Sequence, residues 1–130
     1  MKTIEVVAGI IEHDGKILCA QRAEGKYKYV SLKWEFPGGK IEEGETHIEA
    51  LKRELKEELD IDVDVNKHYI DITHQYPDFI LKMYCYMCSG DIRGLKLNVH
   101  KNLVLLDKKD LHTLDWAPAD APIIDKLVSD

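Results

Sequence analysis

The stretch THIEALKRELKEEL, residues 46–59, restricts the fold more than any other part of the chain. Thr46 followed three residues later by Glu49 is a capping-box signature, and it predicts a helix starting at Thr46. Ile48, Leu51, Leu55 and Leu59 recur at spacings of three and four, so they form one apolar stripe that needs a layer to pack against. On the neighbouring face Glu54, Glu57 and Glu58 fall together. A like-charge pair at that spacing costs about 0.2–0.5 kcal/mol even when exposed. Arg53, four residues before Glu57, relieves part of the repulsion. The rest calls for solvent, or for a hard cation that takes carboxylate oxygens, such as Mg²⁺ or Mn²⁺. Taken alone, a helix rich in Glu and Lys is ordinarily just a solvated helix.

The spacing upstream changes that reading. Gly39 is followed after five residues by Glu45, after seven more by Arg53-Glu54-Leu55, and after one more by Glu57-Glu58. With Gly, Glu and Arg each at about 5–7% of average composition, such a set coincides on the order of once in 10⁷–10⁸ start sites. The pattern resembles the Nudix box of the Nudix hydrolase superfamily and covers residues 39–61. It departs once, at Asp60, where the family has a Gly. That residue ends the helix with a positive φ, which Asp adopts at some cost, so the departure bears on stability more than on chemistry. Lys33-Trp34-Glu35-Phe36-Pro37-Gly38-Gly39-Lys40-Ile41, running on to Gly44-Glu45-Thr46, is similar to the MutT branch, whose members hydrolyse nucleoside triphosphates. A looser likeness extends over nearly the whole chain, through Tyr76-Pro77-Asp78 and Pro118-Ala119-Asp120.

Composition sets the outer bounds. A chain of 130 residues suggests one domain, residues 1–130, large enough to bury its own core. No apolar run approaches the ~20 residues that span a bilayer. The start, MKTIEVVAGIIEHDG, has Glu5 inside its apolar run and no small-residue cleavage site, which argues against a signal peptide. Cys19, Cys85 and Cys88 are an odd number without a framework spacing, as expected of reduced thiols in the cytoplasm. Cys85 and Cys88 form a C-x-x-C, but in a strand they point to opposite faces and no second pair exists for a zinc site. A net charge of −6 argues against wrapping a nucleic-acid duplex. It leaves room for a small polyphosphate neutralised by a metal and a few local cations. The expected partner is therefore a small nucleotide, with no membrane, and the chain a monomer or homodimer.

Along the chain, residues 3–11 read as a buried strand, His13-Asp14-Gly15 as a turn and residues 16–21 as the returning strand of a hairpin. Residues 26–33, KYKYVSLK, read as a basic, partly exposed loop that is either merely solvated or involved in admitting substrate. Trp34 to Phe36 is a short extended piece feeding the Gly-Gly turn. After the helix, residues 61–65 alternate as a strand that extends toward Thr73, residues 74–78 turn, and residues 79–88 form a long apolar strand in the middle of the sheet. Residues 95–106 carry two weaker strand pieces broken at Asn98–Asn102, and Asp107 to Leu111 is a short helical turn. Asp120 is an N-cap and Pro122 suits a first helical turn, so a second amphipathic helix closes the chain. Strands interleaved with two helices give an α/β (α+β) fold, a mixed sheet between helices. The Nudix resemblance implies the same α/β/α sandwich.

Pyrophosphate cleavage needs an oxygen nucleophile, in-line geometry and neutralisation of charge on the phosphoryl oxygens. The resemblance implies that Glu54, Glu57 and Glu58 hold Mg²⁺ or Mn²⁺, that one of them helps to activate water, and that the Gly38 carbonyl is a further ligand. Glu45 reinforces the helix start or a metal's outer shell, and Arg53 orients glutamates rather than touching substrate. Many MutT-like proteins carry another glutamate on a loop before the late strand; here Val99 aligns with it. Its neighbour His100 is a base, a ligand or a structural histidine. Arg22 and Lys40 match basic positions that meet phosphates; Lys40 can equally be solvated surface charge, Arg22 less readily so. Phe36, Asp78 and Asp120 match positions lining the nucleobase pocket, although Asp78 can be a turn residue and Asp120 only the N-cap. MutT proteins specialised for oxidised guanine carry Asn where Asp120 stands. An ionised Asp only accepts hydrogen bonds, whereas Asn both donates and accepts. An acceptor suits the cytosine amine or the N1 and N2 protons of guanine, and the closing APADAPIIDKL also resembles CTP pyrophosphohydrolase-like relatives.

The expected function is Mg²⁺-dependent hydrolysis of (deoxy)nucleoside triphosphates to monophosphate and pyrophosphate, clearing oxidised or surplus nucleotides. ADP-ribose, a dinucleoside polyphosphate or a capped RNA end is the alternative substrate, since Pro77 is close to a marker of ADP-ribose-hydrolysing relatives. A non-catalytic Nudix-fold binding module is the third reading, disfavoured by the three intact glutamates.

Overall fold

The computed structural model describes residues 1–130. Its frame is one seven-stranded mixed sheet. The first two strands, β1 (Thr3–His13) and β2 (Lys16–Gln21), form the expected hairpin. Asp14 and Gly15 both take positive φ at its tip, the conformation a tight two-residue hairpin turn demands. Two short strands follow, β3 (Trp34–Glu35) and β4 (Gly38–Lys40). β3 pairs with the end of β2, and β4 pairs with the middle of β1.

Helix α1 (His47–Leu59) is entered through a complete capping box, with the Thr46 hydroxyl and the Glu49 carboxylate each taking the other residue's N–H. It ends on Asp60 in the left-handed conformation, φ 55°, the role expected of it in place of the family's glycine. Strands β5 (Val63–Gln75) and β6 (Ile80–Gly90) pair antiparallel, and β6 runs parallel to β1 along ten residues. β6 therefore has neighbours on both sides, as its near-continuous apolar run predicts. β7 (Asn102–Leu106) pairs with β2, a short 3-10 helix spans Lys108–Thr113, and helix α2 (Ala121–Ser129) closes the chain.

Strand alternation divides the interior in two. Val7, Ile11, Leu18 and Cys88 face α1, where Ala50, Leu51, Leu55 and Leu59 meet them. Ala8, Ile10, Ile17, Cys19 and Cys85 face α2, where Ile123, Ile124 and Leu127 meet them. The sheet is thus covered by a helix on each side, as expected. Cys85 and Cys88 lie on opposite faces as free, buried thiols.

Two expectations need correction. The first of the two strand pieces expected in residues 95–106, residues 95–97, is not strand, and the second begins at Asn102, inside the expected break. The backbone amides of Lys96 and Asn98 instead donate to the carbonyls of Leu59 and Glu58, at 2.9 and 3.2 Å. Those carbonyls belong to the last turn of α1 and have no partner within the helix. Asp120 is not an N-cap of the ordinary kind either. Its backbone is already helical, and its side chain makes no bond to the helix start. It turns inward and accepts from the Phe36 N–H at 3.2 Å.

Candidate active site

A cavity of about 700 Å³ opens along β1, β3 and β4. The local folding that shapes it begins with the Gly38-Gly39 pair. β4 lies so tightly on β1 that a Cβ on Gly38 would run into the Val7 carbonyl and come within 2.8 Å of the Ala8 Cα. A Cβ on Gly39 would collide with the Glu54 carboxylate. These glycines let the backbone lie against both the central strand and the glutamate-bearing helix. The segment after the 3-10 helix is laid beside β3 by two backbone bonds, Trp34 N–H to Asp115 and Ala117 N–H to Trp34, at 2.9 and 2.8 Å. This brings Asp120 behind Phe36, whose ring packs on Trp116 at 5.0 Å between centroids.

At one end of the cavity stand Gly38, Gly39, Lys40 and Glu58. Glu58 is largely buried, and its Oε1 has no hydrogen-bond partner. Burial, followed by the negative charges of Glu35 and Glu54, pushes its carboxyl up to about 8, and a Gly38 backbone N–H pulls it partly back. This end therefore holds more carboxylate than its cations neutralise. Glu54 and Glu57 do not line the cavity. Both are drawn to Arg53, at 2.9 and 3.3 Å, and the Glu57 side chain is 60% exposed. The three glutamates share a helix turn as expected, but no three acidic or imidazole side chains converge into a ready-made metal cage.

Arg53 is the organiser of this turn. Its Nε and Nη2 donate to the two oxygens of Glu45 at 2.7 and 2.8 Å, Nη1 donates to Glu54 and Glu57, and Nη2 also reaches the Lys40 carbonyl at 3.0 Å. The Glu45 carboxyl is held down to about 2, chiefly by Arg53 and then by the Glu42 N–H. Arg53 does not line the cavity. Arg53→Ala is expected to lower kcat by about 10²-fold, because Glu54 and Glu57 lose their common anchor. Arg53→Lys is expected to recover little, since an ammonium cannot reproduce the fork to Glu45. Steady-state kinetics on the two variants check this; full activity of Arg53→Lys would show that charge alone suffices.

At the other end lie Phe36 and Asp120, with Arg22 on the cavity wall. Arg22 is exposed and donates from Nη1 to Glu35 Oε1 at 2.9 Å. Asp120 is fully buried, and burial together with the Glu35 charge raises its carboxyl well above the ordinary range; the Phe36 N–H and Arg22 offset only part. The protonated form is thereby favoured. When it holds its proton, such a carboxyl donates from one oxygen and accepts on the other; when ionised it only accepts. Lys40 is at the cavity rim with its side chain exposed. Asp78 also lines the cavity, but its carboxylate is occupied by the Tyr29 hydroxyl at 2.7 Å. The basic loop is accordingly more than solvated: Tyr27 stacks on Tyr29, Tyr29 on Tyr76, and Val30 is buried.

One residue takes a place that the sequence did not assign, and the sequence leaves a second, His100, open between base, ligand and structural histidine. Glu35 sits between the two ends, bonded to Arg22 and to His100, and its charge acts on both Glu58 and Asp120. An acid between Trp34 and Phe36, in an otherwise apolar extended piece, was the available signal. His100 points inward with its side chain only 4% exposed, whereas Val99 beside it is turned out.

Comparison with known proteins gives consistent matches. The family described as NUDIX domain matches residues 6–126. The CTP pyrophosphohydrolase of Escherichia coli (strain K12) is 36% identical over 129 residues, covering 99% of this chain and 94% of that protein. The 8-oxo-dGTP diphosphatase of Haemophilus influenzae is 35% identical over 130 residues, covering 99% and 94%. A solution structure of MutT, a Nudix hydrolase of methicillin-resistant Staphylococcus aureus 252, superposes with a TM-score of 0.78 at 42% identity, covering 99% of this chain and 98% of that one. No helix is long and apolar enough to cross a membrane.

Proposed function

The chain belongs to the NUDIX domain family, and from that premise we propose that it hydrolyses nucleoside triphosphates to a monophosphate and pyrophosphate, as one domain, with a divalent metal. The observation that carries this reading is the cavity itself. It joins a carboxylate-rich glycine turn at Glu58 to a buried recess at Phe36 and Asp120, with Arg22 also on its wall. A nucleotide's charged chain and its base need those two unlike environments within one ligand length. The relatives named for CTP and for 8-oxo-dGTP support the same class of substrate.

The residues present fit a metal. Glu58 carries a buried, unpartnered oxygen beside two further carboxylates, an arrangement that a cation would relieve. Glu54, Glu57, Glu58 and the Gly38 carbonyl would hold Mg²⁺ or Mn²⁺, oxygen donors of the kind such ions take. Bound there, the ion would neutralise phosphoryl oxygens and lower the pKa of a water. Around it, Arg53 keeps Glu54 and Glu57 in register. Arg22 and Lys40 carry positive charge toward the phosphates. Phe36 forms one wall of the base recess, and Asp120 offers one donor and one acceptor to a base edge. The reaction adds one water across one phosphoanhydride bridge; the water's oxygen bonds to phosphorus and the bridging oxygen leaves with the other product.

The test is product analysis with Mg²⁺ on CTP, dCTP, 5-methyl-dCTP, dGTP, 8-oxo-dGTP, ADP-ribose and a dinucleoside tetraphosphate. Pyrophosphate released from one triphosphate, well above the others, is the expected result. Turnover of ADP-ribose or the dinucleotide alone would replace the substrate class. Asp120→Asn is expected to change the ratio of kcat/KM between cytosine and guanine triphosphates by ~10-fold or more, because an amide fixes donor and acceptor where the acid can exchange them. An unchanged ratio would place Asp120 outside base selection.

A further inference from the structure

His100 is 65 residues from Glu35 in sequence, yet its Nε2 lies 3.0 Å from Glu35 Oε2. An ionised carboxylate only accepts, so the ring nitrogen facing it carries the hydrogen and donates. The other Glu35 oxygen accepts from Arg22 at 2.9 Å. Each carboxylate oxygen thus has one partner, and Glu35 cannot turn toward either without giving up the other. The His100 ring is itself held on both flanks. The Lys101 N–H donates to the Gln21 carbonyl on β2 at 2.9 Å. Asn98 is fastened to α1, with its N–H on the Glu58 carbonyl at 3.2 Å and its side-chain amide on the Glu57 carbonyl at 3.0 Å. One short loop therefore joins the glutamate-bearing turn to the arginine at the cavity wall.

We propose that His100 is a positioning residue that acts through Glu35 to fix the Arg22 guanidinium for the phosphates of the substrate. This rests on the nucleotide reading of the cavity given above. Arg22 is half exposed and long, so without a fixed partner it samples many rotamers and loses that freedom when a ligand binds. Glu35 supplies the partner, and His100 keeps Glu35 from rotating onto Arg22 with both oxygens. The His100 Nδ1 is buried without a partner. It is closed off from the cavity solvent, which suits a supporting role rather than one as a base toward water.

The test is a double-mutant cycle read by calorimetric binding of the α,β-methylene analogues of CTP and dGTP with Mg²⁺, with kcat and KM measured in parallel on the natural triphosphates. His100→Leu is expected to weaken binding and raise KM by ~10-fold, with kcat within about 3-fold of the parent. In an Arg22→Met background the same change is expected to have no further effect. His100→Gln, whose amide reaches the position of Nε2, is expected to restore binding to within about 3-fold. If His100→Leu fails to fold, His100→Asn replaces it, since its shorter amide stops short of Glu35 while remaining polar. Additive losses in the cycle, or a Gln variant as weak as Leu, would overturn the positioning role while leaving the nucleotide reading intact. A parent protein that binds neither analogue would overturn the reading of Arg22 itself and this inference with it.

Discussion

Glu58→Gln is expected to reduce kcat by about 10³-fold and, in the absence of metal, to make the protein more stable at neutral pH rather than less. The two effects have one cause. Glu58 is largely buried beside Glu35 and Glu54, and its carboxyl is raised to about 8. A carboxyl raised in the folded state binds its proton more tightly there than in the unfolded chain. Between the ordinary carboxylate range and about 8 the native state therefore holds more protons, and stability falls as pH rises through that window. Gln keeps the shape and cannot ionise, so it removes this loss. Asp120, also raised, tilts stability in the same direction in both proteins, so the difference between them isolates Glu58. Thermal melts from pH 5 to about 8.5 with chelator are the measurement. The parent should lose stability relative to Glu58→Gln as pH rises, and Mg²⁺ should recover it for the parent alone. Parallel curves for the two proteins would mean that Glu58 is not held as the structure shows.

The elements legible in the sequence were those that local chemistry dictates. Asp14-Gly15 could only be a tight hairpin turn, and Thr46 with Glu49 could only open a helix. Asp60 filled a left-handed position announced by its place after Leu59. The failures came where a distant partner outbid the local pattern. Leu95 and Leu97 alternate as a strand does, yet Leu97 is half exposed. The backbone amides of Lys96 and Asn98, interleaved with them, are committed instead to the free carbonyls at the end of α1, which no periodicity reveals. Asp120 had every local mark of an N-cap, but the Phe36 N–H, 84 residues away, took its carboxylate. Glu35 received no role from the sequence because its meaning lies in Arg22 and His100, which only the pairing of β3 with β2 and the 95–101 loop bring to it. The box was legible as a box; the acid that connects its glutamates to the base recess was not.

The two glycines that open the box are expected to respond to the same substitution in opposite ways. At Gly38 an added Cβ meets backbone: the Val7 carbonyl group and, at 2.8 Å, the Ala8 Cα, both in the middle of the central strand. Neither can move without breaking the β1–β4 ladder, which pairs Ala8 with Gly38. Gly38→Ala should cost ~3 kcal/mol or more, a fall in Tm on the order of 10 °C, or fail to fold. At Gly39 the obstacle is the Glu54 carboxylate, with Cδ at 2.5 Å and Oε1 at 2.8 Å. A side-chain tip swings aside at small cost, so Gly39→Ala should stay folded with Tm within a few degrees of the parent. The movement takes Glu54 off Arg53 and away from the Gly38–Glu58 end of the cavity, and turnover should drop by ~10²-fold. Calorimetric Tm and kcat on the two single variants decide it. Equal losses of stability would mean that the glutamate is as immovable as the strand. A fully active Gly39→Ala would mean that the resting place of Glu54 does not matter to the reaction, and the assignment of Glu54 to the site would have to be withdrawn.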